Sequence, residues 1–399
     1  MKNHINQGAE CCACCACVDS CPVSAIEFQL NSNGDLAPFV NEERCVSCGK
    51  CLSVCPYMRQ VRILDDKQFY IATNLEKSLY DYSASGGIFS ALAKYVLTIG
   101  GTVFGAAIVQ DGADTISCAH IGISSVSELS RLQGSKYVHS QTAGVYPQVK
   151  KILLEGKTVL FSGTSCQVDG LYGYLKKHYE NLITVDLVCH GVPETTVLKK
   201  YLQFLEKKLN CKILDISFRR KKAPGYESSS DSYILTLKCM NEATGEVYEK
   251  YIPKTLSAYF LLFLQRAGYR ANCYTCRYAS IHKPADITLG DFRPTREEVL
   301  RYQLKHNVMW SSILVHTAKG RDILSLLTNV CELHEIGIDT MLSHHMNLKR
   351  PSVISKKGKK LLAVYHAKGF TGLQKKIDCE HKLFYIPRAI IKLLRKGLK

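Results

Sequence analysis

No stretch of this sequence is apolar for long enough to cross a bilayer. The longest weakly polar run, Gly86 to Gly101, is interrupted by Lys94 and falls short of the roughly 20 residues that a membrane helix needs. The opening MKNHINQGAE has no apolar core of the kind a signal peptide requires, which gives the expectation of a cytoplasmic protein. No internal repeat of solenoid length is present, which argues against a repeat array. Acidic residues are scarce, 35 against 52 Lys and Arg, for a net charge of +17. That deficit is uneven. Residues 1–60 carry four Lys/Arg against six Asp/Glu, a net −2, whereas residues 349–399 carry fifteen against two, a net +13. A nucleic-acid face would spread its basic residues over one surface, so no nucleic-acid partner is expected.

Cysteine, by contrast, is abundant. Nineteen cysteines in a cytosolic chain argue for metal ligation, because cytosolic thiols are kept reduced, and an odd count suits no complete disulfide framework. The 399 residues, 46% hydrophobic and 22% charged, suit a globular protein with one large and one smaller domain. Composition divides the chain into a cysteine-rich segment 1–60, a middle 61–345 alternating strand-like and helix-like stretches, and a Lys-rich tail 346–399. In the middle, KTVLF (Lys157–Phe161) and LITVDLV (Leu182–Val188) read as buried strands around a helix Cys166–His178. That βαβ run implies a partly parallel sheet with a right-handed crossover. Helices are expected over Ser85–Leu97, Thr142–Glu155 and Pro193–Leu209, strands over Tyr70–Thr73 and Thr102–Val109, and a hairpin over Tyr233–Cys239 and Glu246–Ile252. Lys221–Ser232 reads as a loop. The fold class expected is α/β, α+β overall.

Cys11, Cys14, Cys17 and Cys21-Pro22 satisfy C-x2-C-x2-C-x3-C-P, and Cys45, Cys48, Cys51 and Cys55-Pro56 satisfy it again. Three thiolates two residues apart wrap one cubane, while the fourth, held away by the turn and the proline, reaches the other cluster. One 4Fe-4S cluster would take Cys11, Cys14, Cys17 and Cys55, and the second Cys45, Cys48, Cys51 and Cys21. Zinc binding or a redox disulfide are the alternatives. The frame starting at Cys12 and Cys15 fails at Val18, which leaves those two as spare thiols. Residues 5–58 resemble the bacterial two-cluster ferredoxin domain.

A further set lies downstream. Cys166, in FSGTSCQ, and Cys189, in VCHGVP, each follow an expected strand of the parallel sheet, where α/β sheets place their ligands. NCYTC supplies Cys273 and Cys276. Four thiolates would complete a cubane or a zinc site; two buried free cysteines and an isolated C-x2-C are the alternative.

FSGTSCQVDGL, VDLVCHGVP, NCYTCRYA and ADITLGDF, in that order, resemble the beta subunit of coenzyme F420 hydrogenase/dehydrogenase, over about Ser83 to Cys331. The resemblance implies FAD, a 4Fe-4S cluster within the large domain with Cys166, Cys189, Cys273 and Cys276 as ligands, and the ferredoxin module as electron inlet. That family includes coenzyme F420-reducing subunits and the plant hydroxymethyl-chlorophyll reductase. YSASGGIFSAL (Tyr82–Leu92) and LQGSKYVHS (Leu132–Ser140) are similar to the family's flavin region. It implies FAD contacts at Ser85, Gly86, Gly87, Gly134, Ser135 and Lys136; taken chemically, a glycine pair entering a helix can present amides to phosphate or simply make a tight turn. Two departures stand out: Ser165 where the family often has proline, and Arg293 where an aromatic is common. The second puts coenzyme F420 itself in doubt as substrate. His190 is either a proton donor or a hydrogen-bonding neighbour of a ligand, and Asp291 either a flavin or loop anchor or a helix cap.

In the tail, Ile386, Ile390, Leu393, Leu394 and Leu398 share one helical face opposite Arg388, Lys392, Arg395, Lys396 and Lys399. Such a helix either rests on an anionic membrane surface or docks on the domain. The expected function is a reductase passing electrons from ferredoxin-type clusters through a domain cluster and FAD to a small-molecule substrate or coenzyme, or the reverse. A redox donor protein or partner enzyme subunit is the expected partner. The alternative is a non-catalytic relay subunit.

Overall fold

The computed structural model describes residues 11–31, 34–60, 64, 67–111, 115–221, 223–225 and 233–385. Its N-terminal module is a hairpin, β1 (Ile26–Leu30) and β2 (Leu36–Val40), paired antiparallel from Ile26↔Val40 to Leu30↔Leu36. On either side of it a cysteine loop runs into a single helical turn, Ala16–Asp19 or Lys50–Val54. Cysteines every third residue force tight winding, and Ala13, Cys15, Ser47 and Gly49 take left-handed φ of 50°, 61°, 53° and 69°.

The large domain is built on eight strands. These are β3 (Gln68–Asn74), β4 (Thr102–Asp111), β5 (Thr115–Ile123), β6 (Val159–Ser162), β7 (Leu182–Leu187), β11 (Ile287–Phe292), β12 (Trp310–Val315) and β13 (Cys331–Glu335), in the order β13-β3-β12-β11-β7-β6-β4-β5. The middle four, β11, β7, β6 and β4, are parallel, and the outer strands on both edges are antiparallel. The expected βαβ unit is present, its helix running Ser165–Leu175. One reason the sheet is mixed rather than simply parallel is that β5 follows β4 after only three residues, a connection that only antiparallel neighbours allow.

Both faces of the sheet are covered. Helix Ile88–Thr98 packs Leu92 and Val96 against Leu160, Val185, Ile287 and Ile313. Across the sheet, helices Val145–Leu154 and Ser165–Leu175 pack Val149, Leu153, Val168 and Leu171 against Phe161 and Leu182. Each such side chain contributes about 1.5–3 kcal/mol by leaving water. Beyond this second helical layer lies the ferredoxin-like module, whose Cys12, Cys14, Ala16 and Val54 belong to the same core.

A second sheet, β8 (Cys211–Ser217), β9 (Ile234–Asn241) and β10 (Val247–Pro253), has the order β10-β9-β8 and is antiparallel throughout. It contains the expected hairpin plus one unforeseen strand. Helices Thr195–Leu209, Ala258–Leu264 and Lys356–Tyr385 pack on it through Leu198, Tyr201, Phe260, Leu361, Phe370 and Leu373. The last helix kinks at Gly369, φ 59°. The start of the basic tail therefore packs on the domain, while its amphipathic stretch 386–399 lies outside the described residues, as does most of the 221–232 loop. No helix among the described residues is long and apolar enough to cross a membrane.

Candidate metal centres

Cys11, Cys14 and Cys17 line one cavity together with Cys55, the last cysteine of the second motif, and with Cys12, Cys15 and Tyr57. Cys21, from the first motif, packs with Cys45 and Cys51 around Ile26 and Val40, a seat that also takes Cys17 and Cys55. Cys51 lies in the electrostatic reach of Cys45 and Cys48. The chain thus brings the fourth cysteine of each motif toward the other motif's three.

Most of these thiols accept hydrogen bonds at sulfur. Backbone N–H groups donate to Cys11 (from Ala13, 3.4 Å), Cys21 (from Ala25, 3.2 Å) and Cys45 (from Ser47, 3.4 Å). Ala16 donates likewise to Cys14 and Val18 to Cys17. N–H donors stabilise a thiolate. Cys15 also receives hydrogen bonds from Thr142, and in addition donates its S–H to Gln141 Oε1 at 2.9 Å. Burial pushes the Cys15 thiol up to about 12 and Cys17 well up. Cys14 is drawn down by the Cys12 thiol bonded to it, yet burial still leaves it at about 11. Such thiols stay protonated at neutral pH until a polycationic centre displaces the protons, and the donor set of thiols ringed by N–H groups fits an iron–sulfur cluster.

In the large domain, the parallel register Val159↔Leu182 to Ser162↔Val185 sets the carboxyl ends of β6 and β7 side by side. Thr164 and Gln167 form a capping box that starts the helix, with Thr164 N–H donating to Gln167 Oε1 at 3.0 Å. This holds Cys166 in the first turn, where Thr164 Oγ1 lies 3.1 Å from its sulfur. Cys189 follows β7 directly. The 3-10 turn Ala271–Thr275 carries Cys273, and Cys276 closes it. These four thiols share one neighbourhood: Cys189 and Cys166 both act on Cys273, as does Cys276. They too receive backbone N–H groups, from Gly191 to Cys189, Val192 to Cys273, and Tyr278 and Ala279 to Cys276. Burial raises Cys189 to about 12 and Cys273 well above its ordinary value. Among the described residues no three His, Cys, Asp or Glu side chains converge as the ligands of a single metal ion would. In a cubane each thiolate binds a different iron, so its ligands stand farther apart.

The first thiol set packs on the helix Ser165–Leu175, on the face that also carries Cys166. A Cβ at Gly170 would sit 2.8 Å from Cys14 Sγ, and one at Gly173 would overlap the Val54 carbonyl, so glycine spaced by three lets the module lie directly on the helix. Polar clamps surround this contact. Asp169 accepts from Arg59 Nη2 (2.7 Å) and from the Tyr278 hydroxyl (2.6 Å). Arg270, 2% exposed, is ion-paired with Glu194 and donates to the carbonyls of Cys11 (2.9 Å) and Leu36 (2.8 Å). Thr142 Oγ1 donates to the Cys14 carbonyl at 2.9 Å, and Asp19 Oδ1 accepts from Gly144 N–H at 2.7 Å. None of these clamps was anticipated from sequence. The G-x2-G spacing in VDGLYGYL was the available signal.

The residues resembling a flavin region converge in part. Gln133 Nε2 donates to Ser90 Oγ (3.0 Å) and to the Leu79 carbonyl (3.4 Å), tying the Leu132–Ser140 stretch to the Tyr82–Leu92 stretch. Ser85 Oγ donates to the Trp310 carbonyl, and Gly86 N–H to Ser311 Oγ at 3.0 Å. Gly87, φ 84°, caps the helix Ile88–Thr98. Gly134, φ 78°, has open space where a side chain would be. Ser135 hydrogen-bonds Tyr137. Lys136 turns back onto its own loop, donating to the carbonyls of Gln133 (2.8 Å), Arg131 (3.2 Å) and Gly134 (3.4 Å). His190 keeps solvent contact. The surrounding protein and Arg266 lower its pKa, and Asp291 opposes them. Asp291 lies inside β11 and anchors Arg219 at 2.6 Å rather than capping a helix. Arg219 and Arg293 both lie over the Tyr233 ring, at 4.6 and 5.7 Å.

Residues 10–58 match the family model described as 4Fe-4S dicluster domain, and residues 156–338 match the one described as the C terminus of the beta subunit of coenzyme F420 hydrogenase/dehydrogenase. The ferredoxin-type protein NapF of Haemophilus influenzae is 44% identical over 43 residues, 11% of this chain and 24% of that protein. The chain thus spans about a quarter of that curated relative. Among solved structures, a chain of the F420-reducing [NiFe] hydrogenase complex from Methanosarcina barkeri, studied by xenon derivatization, is 16% identical with a TM-score of 0.44. The match covers 77% of this chain and 94% of that one.

Proposed function

From a chain that joins a 4Fe-4S dicluster domain to the C-terminal domain of the coenzyme F420 hydrogenase/dehydrogenase beta-subunit family, we propose an iron–sulfur flavoprotein oxidoreductase. The observation that carries it is that the set Cys11, Cys14, Cys17 and Cys55 packs on the same glycine-flattened face of the helix Ser165–Leu175 that carries Cys166, which shares a neighbourhood with Cys189, Cys273 and Cys276. Electrons would enter singly at the outer site of Cys21, Cys45, Cys48 and Cys51, where Cys48 is exposed, and move inward through the buried set. FAD, when bound, supplies the conversion between one-electron clusters and a two-electron organic substrate or coenzyme. The chain's own part is positional. Asn74 and Ser311 hold the Ser85–Gly87 loop in place, while Arg270 and Glu194 hold the module against the domain. His190, exposed beside Cys189, would take a proton from solvent and pass it on.

A relay subunit serving a partner enzyme is the second reading. It is favoured by Gly86 N–H and Lys136 Nζ, which are already spent on protein acceptors and not free for a phosphate. Iron and flavin analysis of anaerobically purified protein separates the two. About twelve irons and one FAD per chain are expected; about twelve without flavin leaves the relay, and about eight refutes the large-domain cluster. Serine at Cys273 and Cys276 together should remove about four irons.

A further inference from the structure

Among the described residues three cationic side chains are deeply buried, and two of them are ion-paired. Arg270 meets Glu194, and Arg219 meets Asp291 at 2.6 Å. The third, Lys283, is 1% exposed and touches no carboxylate among the described residues. Its Nζ donates to the Tyr278 carbonyl at 2.6 Å and to Ser165 Oγ at 3.4 Å, both neutral oxygens. A buried ammonium held by neutral groups alone is strongly unfavourable unless an anion stands near it. The two oxygens say where that anion belongs. Ser165 opens the helix Ser165–Leu175 and precedes Cys166, and Tyr278 lies two residues after Cys276. Lys283 Nζ therefore stands between the segments that carry Cys166 and Cys276. Its charge also reaches Cys189 and Cys276. Ala285, two residues further on, belongs to the core against which Cys166 packs. The rival anion is the buried Asp186, whose Oδ1 accepts from Thr288 at 2.5 Å and whose Oδ2 has no hydrogen-bond partner. Burial works against its charge more than Lys283 works for it, and the two make no ion-pair contact.

We propose that Lys283 is the built-in counter-ion of the large-domain cluster, a fixed positive charge that makes this cluster easier to reduce than a neutral wall would and so draws the electron inward. This rests on the reading above that Cys166, Cys189, Cys273 and Cys276 hold a 4Fe-4S cluster. In the step concerned, one electron leaves the reduced inner cluster of the module and enters the oxidised large-domain cluster. The acceptor gains one negative charge, which the ammonium offsets; no bond breaks and no proton moves. Net charge around a cluster is one of the factors that set its potential. Lys283, Ser165 and Tyr278 are all buried, so water and salt screen the charge little.

The test compares the full-length, anaerobically purified chain with Lys283→Met, Lys283→Arg and the control Lys319→Met, by iron content and by reductive titration followed by electron paramagnetic resonance. Lys319 Nζ also bridges two carbonyls, those of Tyr179 (3.0 Å) and Leu182 (2.9 Å), but at the opposite end of β7 from Cys189. All four chains should hold about twelve irons. In Lys283→Met the large-domain cluster should become about tenfold harder to reduce, a midpoint lower by about 59 mV for a one-electron couple. Lys283→Arg, which keeps the charge, should recover most of that shift, and Lys319→Met should leave every potential in place. An unmoved large-domain potential in Lys283→Met at full iron overturns the inference, returns Lys283 to Asp186, and leaves the cluster reading standing. A shift of equal size in Lys319→Met overturns it as well. Loss of about four irons from Lys283→Met but not from Lys283→Arg supports it, as a charge the cluster needs in order to stay bound; loss from both overturns it, because shape and not charge is then what Lys283 supplies. About eight irons in the unaltered chain overturns the inference and the large-domain cluster together.

Discussion

The two cysteine loops carry the same motif and meet opposite fates. In the first, Cys14 and Cys17 are 6% and 5% exposed, pressed against helix Ser165–Leu175 and clamped by Arg270, Thr142 and Asp19. In the second, Cys48 is exposed, and Cys45 and Cys51 are half-buried. Coordination chemistry is common to both, so the difference is set by what each loop packs on. An electron path needs that difference, since one end must be open to a donor and the other sealed against the acceptor.

The largest test of this asymmetry is a paired one. Cys14→Ser and Cys48→Ser should each cost about four irons. Only Cys14→Ser should also lower the thermal midpoint of the chain, because its sulfur is a packed member of the domain core. Equal midpoints would remove the distinction between the loops. Next comes the buried ion pair. Arg270→Met leaves Glu194 as an uncompensated buried charge and should cost about 3–5 kcal/mol in denaturant unfolding. The exposed counterpart, Arg44→Met opposite Glu27 at 3.9 Å, should cost only about 0–1 kcal/mol.

A smaller effect is expected at the seam itself. Gly173→Ala drives a methyl into the Val54 carbonyl and should destabilise by about 1–3 kcal/mol, with the module's protection from proteolysis falling before that of the sheet. The smallest is a pH slope. Burial raises the Asp19 carboxyl to about 6, against the N–H groups of Gly144 and Tyr146 that lower it. The folded chain then holds this proton more tightly than the unfolded chain, whose carboxyl titrates near about 4. Its contribution is greatest below that value and is lost as pH rises through 6. Asp19→Asn should flatten unfolding free energy measured from pH 5 to 7, and an unchanged slope would assign it to another group.

Much of this was readable from residue order. Both C-x2-C-x2-C-x3-C-P motifs announce their chemistry locally, since three thiols must wrap one cluster within one loop. The strands KTVLF and LITVDLV are short apolar runs whose type and pairing follow from the helix between them, and β6 and β7 lie where that predicts. Other features carried no local signal. CELHE, which becomes β13, shows no clean alternation, and its place beside β3 depends on a partner more than 250 residues away. Asp291 left an anchor and a helix cap open by residue order; it lies inside a strand and anchors Arg219, a partner 72 residues away.

The expected ligands and the expected pairing between the two motifs therefore followed from spacing, because bond lengths and turn geometry act over a few residues. Which loop is buried, that Arg270 and Glu194 clamp it, and that Cys12 and Cys14 share a core with Cys166 were decided only by the tertiary fold. Those are contacts between segments more than a hundred residues apart, brought together by burial of a shared core, and no local pattern encodes them.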